Sequence, residues 1–352
     1  MKNTGAIFAD GGIQAAVILS DVNKFYFTDF ISHNSSLLLM PDKAWLFVDK
    51  RYSEEAREKL PALGIEVIET LDKTTIEPLS GFIRAKGIKS LGFEDGRIPF
   101  NQYEILSGLG AELFKAGALI DGLRKVKDGE EIKRIKKAAD ITEKSYLFVL
   151  DLIKEGVTEK EIADELIYRM RKNGAEDIAF DPIVAFGANT SKPHHLYGNK
   201  KLKNNDVITI DMGAKYNGYC SDMTRSFVFG NKIDAEYKKI HAAVSDAQKA
   251  ALDFLKAGVS GIAADAAARD LLESRGYGDY FTHSCGHSVG IEIHENPGLT
   301  KKSEEAFKAG NIVTVEPGVY IEKKFGVRIE DMVLVTDNGV KNFYSCDKNI
   351  NI

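Results

Sequence analysis

The chain has 352 residues, enough for two domains of ordinary size. Apolar residues make up 44% and charged residues 28%, with a net charge of −5. That balance belongs to a globular chain and gives no footing for nucleic acid or an anionic membrane as partner.

No apolar run approaches the roughly 18 residues of a membrane span. The opening stretch MKNTGAIFADGGIQAAVILS is broken by Asp10 and two glycines, which makes it a poor secretory leader. Cys220, Cys285 and Cys346 are odd in number and far apart, so they form neither a disulfide framework nor a CxxC motif. They read as packed small hydrophobes, and a reducing cytoplasm is the expected compartment.

Residues 1–122 alternate strand-like and helix-like segments. AAVILS, SLLLM, AWLFVD, IEVIE and SLGFED predict short strands, while SEEAREKL and IPFNQYEILSGLG predict helices. This is the pattern of a separate α/β domain. A boundary falls near Asp121 to Asp128. Beyond it, Ile132, Ile135, Ala139, Tyr146, Val149 and Ile153 recur near helical spacing. Asp128 and Glu131 form a capping signal at the start, and Gly156 suits the end. Thr158 and Glu161 repeat the signal for a shorter helix that Gly174 should close.

DLIKEGVT (Asp151 to Thr158) matches DFLKAGVS (Asp253 to Ser260) at an offset of 102, and the same offset carries Gly174 onto Gly276. Residues 123–352 therefore read as a duplicated unit, each copy a long helix, a short helix and strands. Duplicated halves tend to face one another across a cleft, where sites are built.

The stretch VITIDMGAKYNGYCSDMTRSFVF places Asp211 and Asp222 in strands that otherwise want a core. A carboxylate there is costly unless something pairs with it. Asn217–Gly218 is a two-residue hairpin signal. It sets Asp222 opposite Gly213 and diagonal to Asp211, at roughly 7–8 Å between backbones. Convergence without a cation would force a raised pKa on one of the two. NIVTVEPGVYIEKKFGVRIEDMVLVT repeats strand, turn, strand, with Glu316 and Glu330 interrupting apolar runs.

Six of the seven histidines lie between residues 194 and 294, three of them in HSCGHSVGIEIHENP; Gly286 and Gly290 flank His287 and permit close backbone approach. Four carboxylates and one imidazole make a hard site suited to two divalent ions such as manganese, cobalt, iron or zinc. Such ions would activate a bridging water. His33 and His241 read as ordinary surface or loop residues and His283 as structural. His195 stays open between a catalytic and a supporting role.

At these residues the chain resembles the pita-bread metallopeptidases of the aminopeptidase P and prolidase branch. The motifs are IDMG, SDMTR, GHSVGIEIHE, TVEPG and VRIED, in family order; His194 precedes Asp211 by 17 and His294 follows His287 by seven. NKFYFTDF and FVDKRYSEEA resemble the family's creatinase-type N-terminal domain, and GLRKVKDGEEIKRIKKAA its junction. The resemblance implies an α/β (α+β) fold, with a creatinase-type domain over residues 1–122 and a pita-bread catalytic domain over 123–352.

The resemblance also implies roles. Asp211 would chelate one metal, Asp222 and Glu330 would bridge both, and His287 and Glu316 would complete the second. Manganese leads the implied ions. Glu316 would also shuttle a proton. His294 and His194 would hold substrate, and Arg328 would support the carboxylates. The implied substrate is a peptide with proline in second position, cleaved by a homodimer.

Two departures bear on specificity. Ser288 stands where the family often has glycine. Gly298 stands where some prolidases carry an arginine that grips a dipeptide's carboxylate, which tilts the reading toward an aminopeptidase on longer peptides. A dipeptide-only prolidase is the alternative. Lys192, placed before Pro193–His194, is either a carboxylate anchor or a solvated loop lysine. A non-catalytic binding protein on the same fold is the rival from another class.

Overall fold

The computed structural model describes residues 2–9, 11–71, 76–349 and 351–352. The chain divides into two units, Met1–Arg124 and Lys125–Ile352.

In the first unit, strands β1 (Ala15–Ile18), β2 (Ser36–Leu39) and β3 (Ala44–Asp49) are buried at every residue. That is why they read as continuous apolar runs instead of alternating ones. With β4 (Ile65–Thr70), β5 (Ser90–Phe93) and β6 (Glu112–Lys115) they form one mixed sheet in the order β4-β3-β2-β1-β5-β6. The helices are α1 (Gly5–Phe8), α2 (Asp21–Thr28), α3 (Lys50–Lys59), α4 (Ile76–Ala85), α5 (Phe100–Ser107) and α6 (Gly117–Arg124). α3 carries the parallel link from β3 to β4, and α5 that from β5 to β6. Val17, Leu38, Trp45 and Phe47 pack against Leu79, Ile83 and Leu106 as the core. The five strands and two helices read from sequence are all present. The sixth strand and helices α1, α2, α4 and α6 are additions.

The second unit opens on α7 (Gly129–Leu150) and α8 (Glu159–Lys172). Each starts in a reciprocal capping box, Asp128 with Glu131 and Thr158 with Glu161. Strands β7 (Asp177–Ile178), β8 (Ile183–Phe186), β9 (Val207–Met212), β10 (Ala214–Tyr216), β11 (Tyr219–Cys220) and β12 (Met223–Val228) follow. The second copy begins with α9 (Ala235–Phe254) and α10 (Gly261–Ser274), capped by Asp234 and Ser260. It continues through β13 (Gly286–Ser288), β14 (Glu295–Leu299), β15 (Ile312–Val315), β16 (Gly318–Ile321), β17 (Phe325–Arg328), β18 (Asp331–Thr336) and β19 (Gly339–Asn342). The main sheets run β12-β9-β8 and β14-β13-β15-β18-β19.

The repeat read from sequence is visible in the helices. α8 and α10 keep the offset of 102 at both ends. Gly174 and Gly276, just past them, both have positive φ, 108° and 82°. One detail differs from the sequence reading. α7 stops at Leu150, short of Ile153 and Gly156. The N–H groups of Asp151, Leu152 and Ile153 turn back to carbonyls three residues earlier, which tightens and closes the helix. Gly156, at φ 88°, serves the following turn and donates its N–H to Leu202 O. His241 also departs from expectation: it lies within α9, buried beside Tyr237.

Candidate metal centre

The first hairpin forms as its turn residues dictate. Asn217 (φ 45°) and Gly218 (φ 80°) both take the positive φ of a two-residue primed turn. Tyr216 faces Tyr219, and the ladder resumes with Met212 opposite Met223 and Asp211 opposite Thr224. The register therefore puts Asp222 across from Gly213 and diagonal to Asp211. Gly213 is needed for proximity, since a Cβ there would lie 2.0 Å from Ser221 O. In the second hairpin, Val315 faces Asp331 and Gly318 faces Arg328. Glu316 and Glu330 thus stand directly across from each other where that ladder is interrupted. Gly286 brings β13 against this strand, because a Cβ there would lie 2.0 Å from Thr314 O.

His287 enters between the hairpins. Its backbone N–H donates to Thr314 Oγ1 at 3.1 Å, and its Nδ1 lies 3.1 Å from Ser288 O. A carbonyl can only accept, so Nδ1 carries the proton and Nε2 presents its lone pair inward. Nε2 sits 3.4 Å from both Asp222 Oδ2 and Glu316 Oε1. One ligand atom each from Asp222, His287 and Glu330 fall within 4.8 Å of one another.

The electrostatics call for a cation. Asp211 Oδ1 and Glu330 Oε1 are buried without a hydrogen-bond partner. Burial raises the Asp211 pKa, against the pull of Arg328. Burial, then Asp211 and Glu316, push Asp222 well above the usual carboxylate range. Burial, then Asp222, Glu316 and Asp211, do the same to Glu330. Orphaned oxygens, mutual repulsion and one inward imidazole nitrogen fit divalent first-row ions, which favour such an oxygen-rich donor set.

Around this cluster stands a ring of donors. Arg328 donates through Nε to Thr224 Oγ1 (3.1 Å), through one terminal nitrogen to Tyr320 Oη (2.8 Å) and Pro193 O (3.2 Å), and through the other to Asp211 Oδ2 (2.7 Å). Thr224 Oγ1 donates to Glu330 Oε2 at 2.6 Å, and Thr314 Oγ1 to Glu316 Oε1 at 3.1 Å. Tyr344 Oη donates to Asp222 O at 2.6 Å and receives its N–H at 3.2 Å. Sequence reasoning named Arg328 but missed Thr224, Thr314, Tyr320 and Tyr344. The two threonines carried a readable signal: each is two residues from a carboxylate and so on its face of the strand.

All of this opens on a cavity of about 880 Å³. Phe180, Pro182, Ile183, Leu196 and Ile293 form its apolar wall. His194 and His294 line it and are exposed, and the His294 ring stands edge-on to His287 at 4.3 Å. Burial and the neighbouring His287 lower the His294 pKa. His195 Nε2 lies 3.0 Å from Glu159 Oε2. Glu159 also accepts from the Phe186 and Gly198 N–H groups, so His195 braces the loop that carries His194. His283 is held by Tyr320 Oη and Ser284 O. The Ser288 hydroxyl points away from the cavity, donating to Pro297 O at 2.6 Å. Lys192 is exposed and not part of the lining.

Carboxylate hairpins in duplicate, closing on an inward histidine above a cavity, define a metallohydrolase of pita-bread architecture. The model of metallopeptidase family M24 matches residues 133–337, and that of the creatinase/prolidase N-terminal domain matches residues 1–126. The chain belongs to metallopeptidase family M24 and carries the creatinase/prolidase N-terminal domain. It is 35% identical over 346 residues to the Xaa-Pro dipeptidase of Pyrococcus furiosus, covering 97% of this chain and 96% of that one. The solved Xaa-Pro dipeptidase from Bacillus anthracis superposes with a TM-score of 0.94 at 35% identity, covering 99% of this chain and 98% of its own. The X-Pro aminopeptidase from Thermotoga maritima gives 0.90 at 34% identity, with 97% and 98% covered.

Proposed function

We propose that this protein is a divalent-metal exopeptidase that hydrolyses the bond between an N-terminal residue and a following proline. The observation that carries the reading is the pair of partnerless buried oxygens, Asp211 Oδ1 and Glu330 Oε1, in a five-donor cluster at the cavity floor. The Xaa-Pro specificity is supported by the relatives above.

Asp211, Asp222, His287, Glu316 and Glu330 would hold the metal, with Asp222 and Glu330 shared between two ions. When bound, divalent ions of the manganese, cobalt, zinc or iron class supply Lewis acidity and make water acidic near neutral pH. The remaining work belongs to side chains. Glu316, partly open to the cavity, takes a proton from the attacking water. Water oxygen adds to the carbonyl carbon before proline, and His194 and His294 donate to the developing oxyanion. Proline's tertiary amide nitrogen needs a proton to depart; Glu316 returns it as the C–N bond breaks. Arg328 keeps Asp211 oriented throughout.

The test is metal-free protein restored with manganese, cobalt or zinc and offered Xaa-Pro dipeptides and Xaa-Pro-Xaa tripeptides. Release of the N-terminal residue is expected. No cleavage with any metal would overturn the reading and favour a non-catalytic binding protein. Two of the relatives named above are dipeptidases and one an aminopeptidase, so the dipeptidase reading fits at least as well as the longer-peptide one that Gly298 suggests from sequence.

A further inference from the structure

We infer that Lys302 receives the free carboxylate of the substrate, directing this site to Xaa-Pro dipeptides; the inference rests on the function proposed above. Gly298 carries no side chain four residues after His294, and a Cβ there would already press on the Thr300 methyl at 3.0 Å and on Gly286 O at 3.3 Å, so the carboxylate must be met from elsewhere in the lining. The lining continues past it through Thr300, Lys302 and Ser303.

Lysine and arginine contribute two side chains to the lining, Arg328 and Lys302. Arg328 is buried and spent on Thr224, Tyr320, Pro193 and Asp211. Lys302 is exposed and has no ion-pair partner among the described residues. The carboxylate Glu295, also in the lining, is already paired with buried Lys127 at 2.9 Å. Lys302 is therefore the one uncommitted lysine or arginine charge facing the cavity among the described residues.

Its backbone is fixed. Lys302 N–H donates to Thr300 Oγ1 (3.2 Å), Ser303 N–H to Thr300 O (3.3 Å), and Ile262 N–H of α10 to Ser303 O (2.8 Å). A long flexible ammonium on a tied turn suits a single carboxylate as a point charge. Lys192, the anchor considered from sequence, lies outside the lining, with its Nζ 3.5 Å from Asn189 Oδ1.

The experiment compares three substrates on metal-loaded enzyme: an Xaa-Pro dipeptide, the same dipeptide amidated at its C-terminus, and an Xaa-Pro-Xaa tripeptide. The wild type is expected to prefer the free acid over the amide by about 10-fold, residing in KM, as for an exposed charge-assisted contact. Added salt should narrow that preference. In Lys302→Gln the preference should fall to near unity, and Lys302→Arg should restore it. A wild type indifferent to amidation, or a preference that survives Lys302→Gln, overturns the inference while leaving the Xaa-Pro reading intact. A wild type that cleaves none of the three overturns both.

Discussion

The two hairpins share one plan and execute it differently. In each, a regular antiparallel ladder is interrupted at a carboxylate, at Asp222 in the first and at Glu316 and Glu330 in the second, while Asp211 projects from within its ladder opposite Thr224. The first uses short aspartates set diagonally on a two-residue turn; the second uses longer glutamates directly opposed on a three-residue loop, with Ile321 facing Phe325. Their support is exchanged. Asp211 is held by Arg328 and Asp222 by Tyr344, both from the second copy or beyond it. Glu330 is held by Thr224 from the first copy, whose carbonyl also accepts the Glu330 N–H at 3.1 Å. Glu316 alone finds its donor, Thr314, in its own strand. Duplication thus supplied the frame, and cross-bracing between copies makes the centre a property of the pair.

The strongest way to break this symmetry is to remove from each hairpin the carboxylate proposed to be shared. Asp222→Asn and Glu330→Gln should each abolish activity and empty the site of both ions, measured as metal content per chain. Retention of two ions in either variant contradicts the shared-ligand assignment. A subtler probe is Tyr344→Phe, which leaves the buried N–H and C=O of Asp222 without their partner. Metal affinity should fall roughly 10-fold or more, as for other residues that orient ligands. Unchanged affinity would mean that the hairpin holds Asp222 unaided.

Proton release sharpens the comparison further, since each hairpin holds one carboxylate pushed well above its ordinary value, Asp222 in the first and Glu330 in the second. Asp222 and Glu330 are pushed above the usual carboxylate range by burial and then by their neighbours. The folded, metal-free protein therefore binds more protons there than the unfolded chain. Its stability should fall as pH rises above the ordinary carboxylate pKa toward the raised values. Metal must displace those protons, so binding should release them and strengthen as pH rises. Calorimetry in two buffers of different ionisation enthalpy counts the protons; zero release would show both carboxylates already ionised.

The sequence carried the local geometry well. Asn217–Gly218 was enough to set the register that brings Asp211 and Asp222 together, because a two-residue turn leaves no freedom in the pairing. Capping boxes and glycine punctuation marked the duplicated helices. What stayed hidden depends on distant partners. Tyr344 reaches Asp222 across 122 residues, and although the family resemblance names Arg328, its particular acceptor Asp211 lies 117 residues away. His195 could not be assigned until Glu159 was seen beneath it, and Lys302 sits on a turn with no motif of its own. In the first unit, β6 escaped notice as a four-residue edge strand without a fully buried residue, and α6 contains two glycines that weaken its helical signal.

The turns test whether the frame itself tolerates the difference between the copies. Gly218 occupies positive φ without a Cβ penalty, whereas Lys323 holds φ 61° with a side chain. A non-glycine residue in that region is disfavoured by roughly 1–2 kcal/mol, and glycine's extra freedom when unfolded returns part of any gain. Lys323→Gly should therefore stabilise the protein by about 0.5–1 kcal/mol, seen as a higher denaturant midpoint at unchanged m-value. Because the loop lies beyond β16 and β17 from Glu316 and Glu330, metal affinity should not move. A shift in affinity along with stability would mean that the second hairpin transmits turn strain to its carboxylates, and the two hairpins would then differ in stiffness as well as in side-chain length.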